Sequence, residues 1–491
     1  MPGTRASRAA FGGAAAAALA AALPAAVLWG FTVDDALIVA RYAHHLARGD
    51  GYVFNVGGPS TDGVTPLGFA HLLVPFAGES AESALAAARW IGVVAWIAGA
   101  AALGWRIGSL EGSRGRWLAL ALVSLSAPLA AWSGAGLETG LVCGLAAIGV
   151  AFRHAARAEP VGSALLGLAA GLRPELLPFA LVSGVPAPRG VEGAPTLVPT
   201  LRTLSRLAIV ITPFTAVAVT RFVLFGRPAP LAAVAKQSSL TAGATYAAAC
   251  FLLTGPVVLL APWGWRALSR FGRWLLGAIF THFVAVAAAG GDWMPLSRLV
   301  TPVLPAVALV AAEVLGGPRH EMGAWARARW VALALALGLE AFVWTGPGLR
   351  ARRVLGDRQV VIRETRDVLA RSTVIGTLDI GWVGAAAPRA AVVDFAGVTD
   401  PLVAVLPGGH TSKPIPDELL ASRGVDTIVL LLAEGASTTD ADWTRWAFAR
   451  GVERWVALSP GIGERLSPVL VTNGRLRYVV LRARPPEERG P

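Results

Sequence analysis

Trp29-Gly-Phe-Thr-Val-Asp34-Asp35-Ala-Leu-Ile-Val-Ala-Arg41-Tyr42 decides how this chain is read. The stretch begins at the end of an uncharged apolar run, Ala9 to Phe31, which Arg5 and Arg8 precede. A run of that length spans the ~30 Å hydrocarbon core of a bilayer. The paired acids follow at once, at a membrane edge where an undressed ion is costly. The run is too long for the apolar part of a cleaved leader and further runs follow, so it reads as a membrane helix.

The rest of the chain agrees. Of 491 residues, 55% are hydrophobic and 15% charged, with a mean hydropathy of +0.58. A soluble domain cannot bury that much apolar surface. Weakly charged windows recur at 91–105 (extended at its start), 117–132, 207–225, 242–261, 275–290, 299–315 and 331–344. The net charge of +12 does not point to nucleic acid, because the arginines gather in short loops between apolar runs, as the positive-inside rule produces. Cys143 and Cys250 both lie in apolar segments, and no disulfide is expected of them.

Arg5 and Arg8 put the N-terminus in the cytoplasm, so residues 32–82 form an outer loop in which 67–76 has the texture of an interfacial helix. A helix over about 84–105 returns to Arg106, Arg114 and Arg116. The next leads out to Trp132, and one over 137–152 comes back to Arg153, His154 and Arg157. Gly171-Leu-Arg-Pro-Glu175 interrupts the following apolar stretch. Proline between two charges favours a hairpin of short helices with Arg173 and Glu175 at its outer tip. Arg189, Arg202 and Arg206 then fall inside, as do Arg266, Arg270 and Arg273, and Arg319, Arg327 and Arg329. Lys and Arg come out about twice as frequent in inner loops as in short outer ones. The expected architecture is a polytopic α-helical membrane protein of about eleven spanning or half-spanning helices over 1–346. Its site would be the inner membrane of a bacterium.

After about residue 347 the texture changes. Val374-Ile-Gly-Thr377, Ala391 to Phe395 and Thr427 to Leu432 read as buried strands. Helical patterns fall at 358–371, 417–423 and 440–450, and 469–472 with 477–481 suggests a hairpin around Asn473-Gly474. Residues 347–491 are therefore expected to form an α/β domain on the outer face, with the Gly/Pro stretch 345–348 as the boundary.

The outer loops collect Asp34, Asp35, Arg41, Tyr42, His44, His45, Asp62, Glu138, Arg173, Glu175, Lys236, Asp292 and Arg298. Carboxylates and cations converging above a lipid-accessible bundle suit chemistry on a lipid-linked, phosphate-bearing substrate. Transfer of a sugar from a polyprenyl phosphate needs a base for the acceptor hydroxyl and cations for the departing phosphate. Asp34 and Asp35 are the catalytic candidates, and Arg298, Lys236 and Arg173 the donor-phosphate candidates. Two adjacent acids on a helix point in different directions, so one job is not shared between them. A divalent ion such as Mg or Mn at Asp34 and Asp35 is the one cofactor the reading allows. Adjacent His44 and His45 face apart and do not suggest a metal site.

Several segments together resemble the GT-C fold membrane glycosyltransferases, and among them the bacterial terminal arabinofuranosyltransferases. They are Asp34 to Gly57, Asp62-Gly-Val-Thr-Pro-Leu67, Ser133-Gly-Ala-Gly-Leu-Glu-Thr139, Leu172-Arg-Pro-Glu175, Pro228 to Lys236, Gly290-Gly-Asp-Trp-Met294, Asp379-Ile-Gly381 and Asp394 to Pro401. The likeness lies in their order rather than in any one motif. It implies a polyprenyl-phosphate sugar donor, an inverting transfer to a cell-envelope glycan or glycolipid, and a catalytic carboxylate in the first outer loop, here Asp34. Substrate contacts would fall on Arg41, Tyr42, Asp62, Thr65, Glu138, Glu175 and Asp292. The segment around Asp62 and Val64 departs from the family pattern, which bears on sugar or acceptor preference. Two other classes are compatible with the composition: a lipid or solute transporter or flippase, and a non-catalytic envelope assembly protein. Charges at helix ends and the lack of an internal repeat weigh against a transporter.

Overall fold

The computed structural model describes residues 2–109, 115–153, 158–185, 201–236, 239–260, 265, 268–316, 324–459 and 461–483. Arg114, His154, Arg157, Arg189, Arg266 and Arg319, used above for topology, lie outside the described residues. The N-terminal part is helical: α1 (Pro2–Val27), α2 (Asp34–Arg48), α3 (Leu67–Leu73), α4 (Ala81–Ser109), α5 (Gly115–Ser124), α6 (Ala127–Ser133) and α7 (Thr139–Phe152). There follow α8 (Glu159–Leu172), α9 (Leu177–Gly184), α10 (Leu201–Phe225), α11 (Leu231–Ala235), α12 (Leu240–Thr254), α13 (Arg270–Ala288), α14 (Leu304–Gly316) and α15 (Ala324–Val343). The C-terminal helices are α16 (Leu349–Ala351), α17 (Val354–Leu369), α18 (Ile380–Ala386), α19 (Pro401–Ala404), α20 (Asp417–Ser422), α21 (Gly451–Leu458) and α22 (Ile462–Arg465). Among the described residues five helical stretches are long and apolar enough to cross a membrane: Arg8–Val27, Ala81–Ser109, Leu201–Phe225, Arg270–Ala288 and Arg327–Leu369. Shorter apolar helices such as Thr139–Phe152, Glu159–Leu172 and Thr301–Gly316 accompany them.

The chain forms two compact units. The first comprises Met1–Thr32, Ala88–Val219 and Ser238–Arg352. Its helices meet through small residues. A methyl group added to Gly13 of α1 would strike the carbonyl of Gly104 on α4, and one on Gly104 would strike Gly13 in return. Such seams let helix backbones approach closely where apolar burial offers no preference between lipid and protein. The interrupted stretch after residue 158 is a helical hairpin, α8 and α9 joined by a 3₁₀ turn at Pro174–Leu176.

The apolar window 117–132 does not form one helix. It breaks between α5 and α6 at Leu125 and Ser126, two residues before Pro128, whose ring cannot continue an α-helix. The freed backbone groups find partners on the α15 side of the unit. Ala127 N–H donates to the Glu340 carboxylate, and Trp344 Nε1–H donates to the Leu125 carbonyl at 2.9 Å. Within a membrane a freed group must be satisfied by protein. Replacing Glu340 by leucine is therefore expected to cost about 1–3 kcal/mol, the penalty of an orphaned buried donor. Glu340→Gln, which keeps an acceptor oxygen, should recover most of it. Thermal unfolding of the detergent-solubilised protein measures both. Beyond Val343 the Gly/Pro stretch is not a loop: Trp344–Gly348 winds as a π-helical turn around Pro347, because proline leaves one i→i+4 bond unmade.

The second unit comprises Val33–Ala87, Thr220–Gln237 and Arg353–Pro491. The loop that carries the acid pair thus belongs with the C-terminal segment rather than with the helix before it. The sheet here has five strands: β1 (Val374–Thr377), β2 (Ala391–Asp394), β3 (Thr427–Leu431), β4 (Leu466–Val471) and β5 (Tyr478–Ala483). Their order is β2-β1-β3-β5-β4. The first three are parallel, and the β4–β5 hairpin adds antiparallel to β3. The strands expected from the sequence are all present. The helix expected at 440–450 is not: only a 3₁₀ turn forms at Trp443–Arg445, and the helix starts at Gly451. Asp440 accepts from Asp442 N–H, and Asp442 accepts from the Thr444 N–H and hydroxyl. Such local side-chain bonds compete with helix formation, and Phe448 bridges to Leu432 instead.

Candidate functional site

Helix α2 opens with Asp34 and Asp35 in its first turn, where negative charge suits the helix dipole. Asp34 is half-buried, and its carboxylate reaches across to α18. Gly381 N–H donates to Oδ2 and Trp382 N–H to Oδ1, each at 2.9 Å. Gly381 admits this approach because a methyl group there would strike the Asp34 carbonyl. Two turns along α2, Arg41 is buried and donates to three carbonyls: Phe54 at 2.8 Å, Gly384 at 2.9 Å and Ala390 at 3.0 Å. A carboxylate thus sits at the N-terminus of α18 and a guanidinium near its C-terminus, the arrangement the helix dipole favours. Positions i and i+7 of α2 clamp both ends of one short helix. Asp35 is also half-buried, and it makes no hydrogen bond or ion pair among the described residues.

Behind this clamp lies a buried ionic network at the C-terminal end of β1. Arg450 grips Asp379 with both terminal nitrogens, at 3.1 and 2.7 Å. The Tyr478 hydroxyl donates to Asp379 at 2.7 Å, and Arg358 donates to that hydroxyl at 2.5 Å. Glu453 accepts from Arg450 Nε at 3.2 Å and from Leu431 N–H at 2.9 Å. Trp382 packs its ring on Tyr478 with centroids 4.7 Å apart. Burial would raise the Asp379 carboxyl, but Arg450 and then Arg358 outweigh it and hold it well below the usual carboxylate range. Burial, and next the charge of Asp379, pushes Asp34 the other way, up to about 7. Two neighbouring carboxyls are therefore driven apart, one a fixed anion and one titrating near neutrality.

Other expected contacts hold the fold of this unit. Asp62 is buried and receives Arg221 Nε–H at 2.9 Å, while Arg221 also donates to the carbonyls of Val64, at 2.9 Å, and Thr65. The Tyr42 hydroxyl bonds to Thr61, and its ring stacks near Tyr52 with centroids 4.6 Å apart. His44 and His45 each bond a backbone carbonyl through Nδ1, of Ala77 and Val53 respectively. Among the described residues no three His, Cys, Asp or Glu side chains gather as metal ligands. Each Asp34 oxygen accepts one backbone N–H, from Gly381 or Trp382.

A second cluster lies in the first unit. Arg173 is buried among Glu138, Glu175 at 3.0 Å and the Thr139 hydroxyl at 2.8 Å. Arg298 pairs with Asp292 at 2.6 Å and sits over the Trp132 ring at 5.8 Å. Trp132 Nε1–H donates to the Leu296 carbonyl at 2.9 Å. Leu296 and Ser297 both take the left-handed conformation, with φ of 59° and 54°. Consecutive non-glycine residues in that region store strain, and such strain collects at functional sites. The expected phosphate-binding residues are thus divided: Arg173 and Arg298 in this unit, Lys236 in the other.

No family model matches the chain, and no curated protein matches it.

Arg358, Arg450, Glu453, Tyr478 and the backbone of Trp382 are participants that no sequence pattern singled out. Asp379 and Gly381 stood out only through the Asp379-Ile-Gly381 segment of the GT-C likeness.

Proposed function

We propose that the chain is an integral membrane glycosyltransferase. It moves a sugar from a polyprenyl-phosphate donor to a cell-envelope glycan or glycolipid on the outer face of a bacterial inner membrane, with inversion. The observation that carries this reading is Asp34, a carboxylate fixed by two amides and raised to about 7. A general base works best with a pKa near the operating pH. Each Asp34 oxygen accepts one amide and keeps a second lone pair for the acceptor hydroxyl. Asp35 beside it carries no other bond and is left to orient that hydroxyl. The ordered likeness to GT-C enzymes and the five apolar helices support the same reading.

As the acceptor oxygen attacks the anomeric carbon, its proton passes to Asp34 and the sugar–phosphate bond breaks on the opposite face. Polyprenyl phosphate departs as an anion and needs no acid. Arg298, Arg173 and Lys236 are the cations assigned to it; Arg298 and Arg173 already face carboxylates.

The test is transfer of labelled sugar from a polyprenyl-phosphate donor by the purified chain in proteoliposomes. A glycan product of inverted anomeric configuration is expected. Movement of lipid or solute with no glycan product would overturn the reading in favour of a transporter.

A further inference from the structure

The second unit bears an apolar surface that neither its sheet nor the candidate site uses. Helix α10 ends with Phe222, Val223 and Leu224 exposed by 61%, 74% and 58%. Helix α11 begins six residues after α10 ends, so it stays within about 20 Å of that end. Leu231 and Ala235 of α11 bury against Ala404 of α19. On the outer sides of these two short helices, Val234, Leu402 and Val405 remain exposed, at 46%, 57% and 70%. Leu402 lies in α19 and Val405, three residues on, is its C-cap.

This tip is held rather than floppy. Asp400 caps α19 through the N–H groups of Leu402 and Val403, and Arg423 pairs with Asp400 at 3.3 Å. Lys413 is buried and donates to the carbonyls of Ala404 and Leu406, at 3.0 and 2.8 Å. Gly397, at φ +76°, packs so closely that a methyl group would strike the Ala404 nitrogen. A buried ammonium and a tight glycine contact fix a segment whose outermost side chains are aliphatic. Helix α3 repeats the pattern in the same unit: Phe69 and Leu73 are buried, while Leu72 and, just beyond, Phe76 are exposed.

We infer that the Leu402–Val405 tip, with Val234, is a membrane footing that inserts into the outer-leaflet phospholipid beside the end of α10. The occupant is lipid because the end of α10 and α19 belong to one unit, and among the described candidate spans α10 has the highest mean hydropathy and the least buried window, 11%. Cations lie on the same segments, Arg227 between α10 and α11, Lys236 at the end of α11 and Arg423 paired to the α19 cap Asp400, and such residues favour anionic headgroups at an interface. An interfacial apolar face of this kind sits about 5–10 Å into the headgroup and acyl boundary. The inference rests on α10 being a membrane helix.

The experiment uses the full chain reconstituted in phosphatidylcholine–phosphatidylglycerol vesicles. Val405→Cys, Leu402→Cys, Val223→Cys and Val469→Cys each carry an environment-sensitive fluorophore; the native Cys143 and Cys250 are buried. Nitroxide-bearing lipid and aqueous iodide serve as competing quenchers. Lipid quenching at 402 and 405 should approach that at 223 on α10 and exceed that at 469 on β4 several-fold. Iodide quenching alone at 402 and 405, with lipid quenching at 223, would overturn the footing and leave the membrane helix standing. Protection of 402 and 405 from both quenchers would also overturn it, showing another macromolecule on that face. No lipid quenching at 223 would remove the membrane reading beneath it.

Discussion

Asp379→Ala is expected to destabilise the α/β unit by about 3–5 kcal/mol, the usual result of removing one partner from a buried ion pair. The loss comes less from the bonds deleted than from what stays behind. Arg450 and Arg358 would face the sheet end without the carboxylate that both contact, and the Tyr478 hydroxyl would lose its acceptor. Arg450 keeps Glu453, so the damage concentrates on Arg358. Asp379→Asn should cost less, because it preserves shape and one acceptor while leaving one positive charge unmatched. The double variant Asp379→Asn/Arg450→Gln should recover part of that cost, since neighbours in one network are not additive. Limited proteolysis and thermal unfolding of the full chain give the measurement. Wild-type stability in Asp379→Ala would mean that the network is solvated and contributes little.

Asp34→Asn should lower sugar transfer by about 100- to 10,000-fold, the range associated with losing a general base. It should also change how stability depends on pH. The folded protein raises Asp34 from 3.8 to about 7. Between those values the folded state holds a proton that the unfolded state has released, so stability falls as pH rises through the window. Asp394 adds to the fall only below about 6, where burial places it. His45, lowered first by burial, works in the opposite direction, and its contribution is complete by its ordinary value of 6.5. Asp379 is depressed and matters only in stronger acid. Asp34 therefore contributes to a decline that continues to about pH 7 and just above it. Across the whole window the Asp34 contribution amounts to about 4 kcal/mol. The difference between unfolding midpoints at pH 6 and 8 should be smaller for Asp34→Asn than for the wild type. Full transfer by Asp34→Asn would assign the proton to another group.

Much of the fold was legible because its signals are local. Uncharged runs marked the apolar helices, Gly171 to Glu175 marked the hairpin, and β-branched runs marked β1, β2 and β3. The misses share a cause. The break at Leu125–Ser126 sits inside an unbroken apolar run, and its partners Glu340 and Trp344 lie more than 200 residues onward. The turn at 440–450 keeps helical spacing, yet its aspartates bond locally. In the candidate site, the acid pair stood out because charge at a membrane edge is conspicuous. Arg41 and Asp62 stood out for the same reason, but their bonds go to backbone carbonyls and to Arg221. Nothing local distinguishes Arg358, Arg450 or Tyr478 from other residues of a half-polar domain. What selects them is the end of β1, a place that exists only after the sheet assembles.

The clamp between α2 and α18 joins groups 347 residues apart in the chain. During synthesis Asp34 therefore leaves the ribosome long before the amides that fix it. Until residues 380–382 have been made and folded, the Asp34 carboxylate has neither of its amide partners. A nascent or truncated chain can carry every apolar helix and still lack a tuned carboxylate. A chain stopped before Ile380 would carry the acid pair and the apolar helices that precede it without either amide, so the clamp needs sequence from both ends of the second unit.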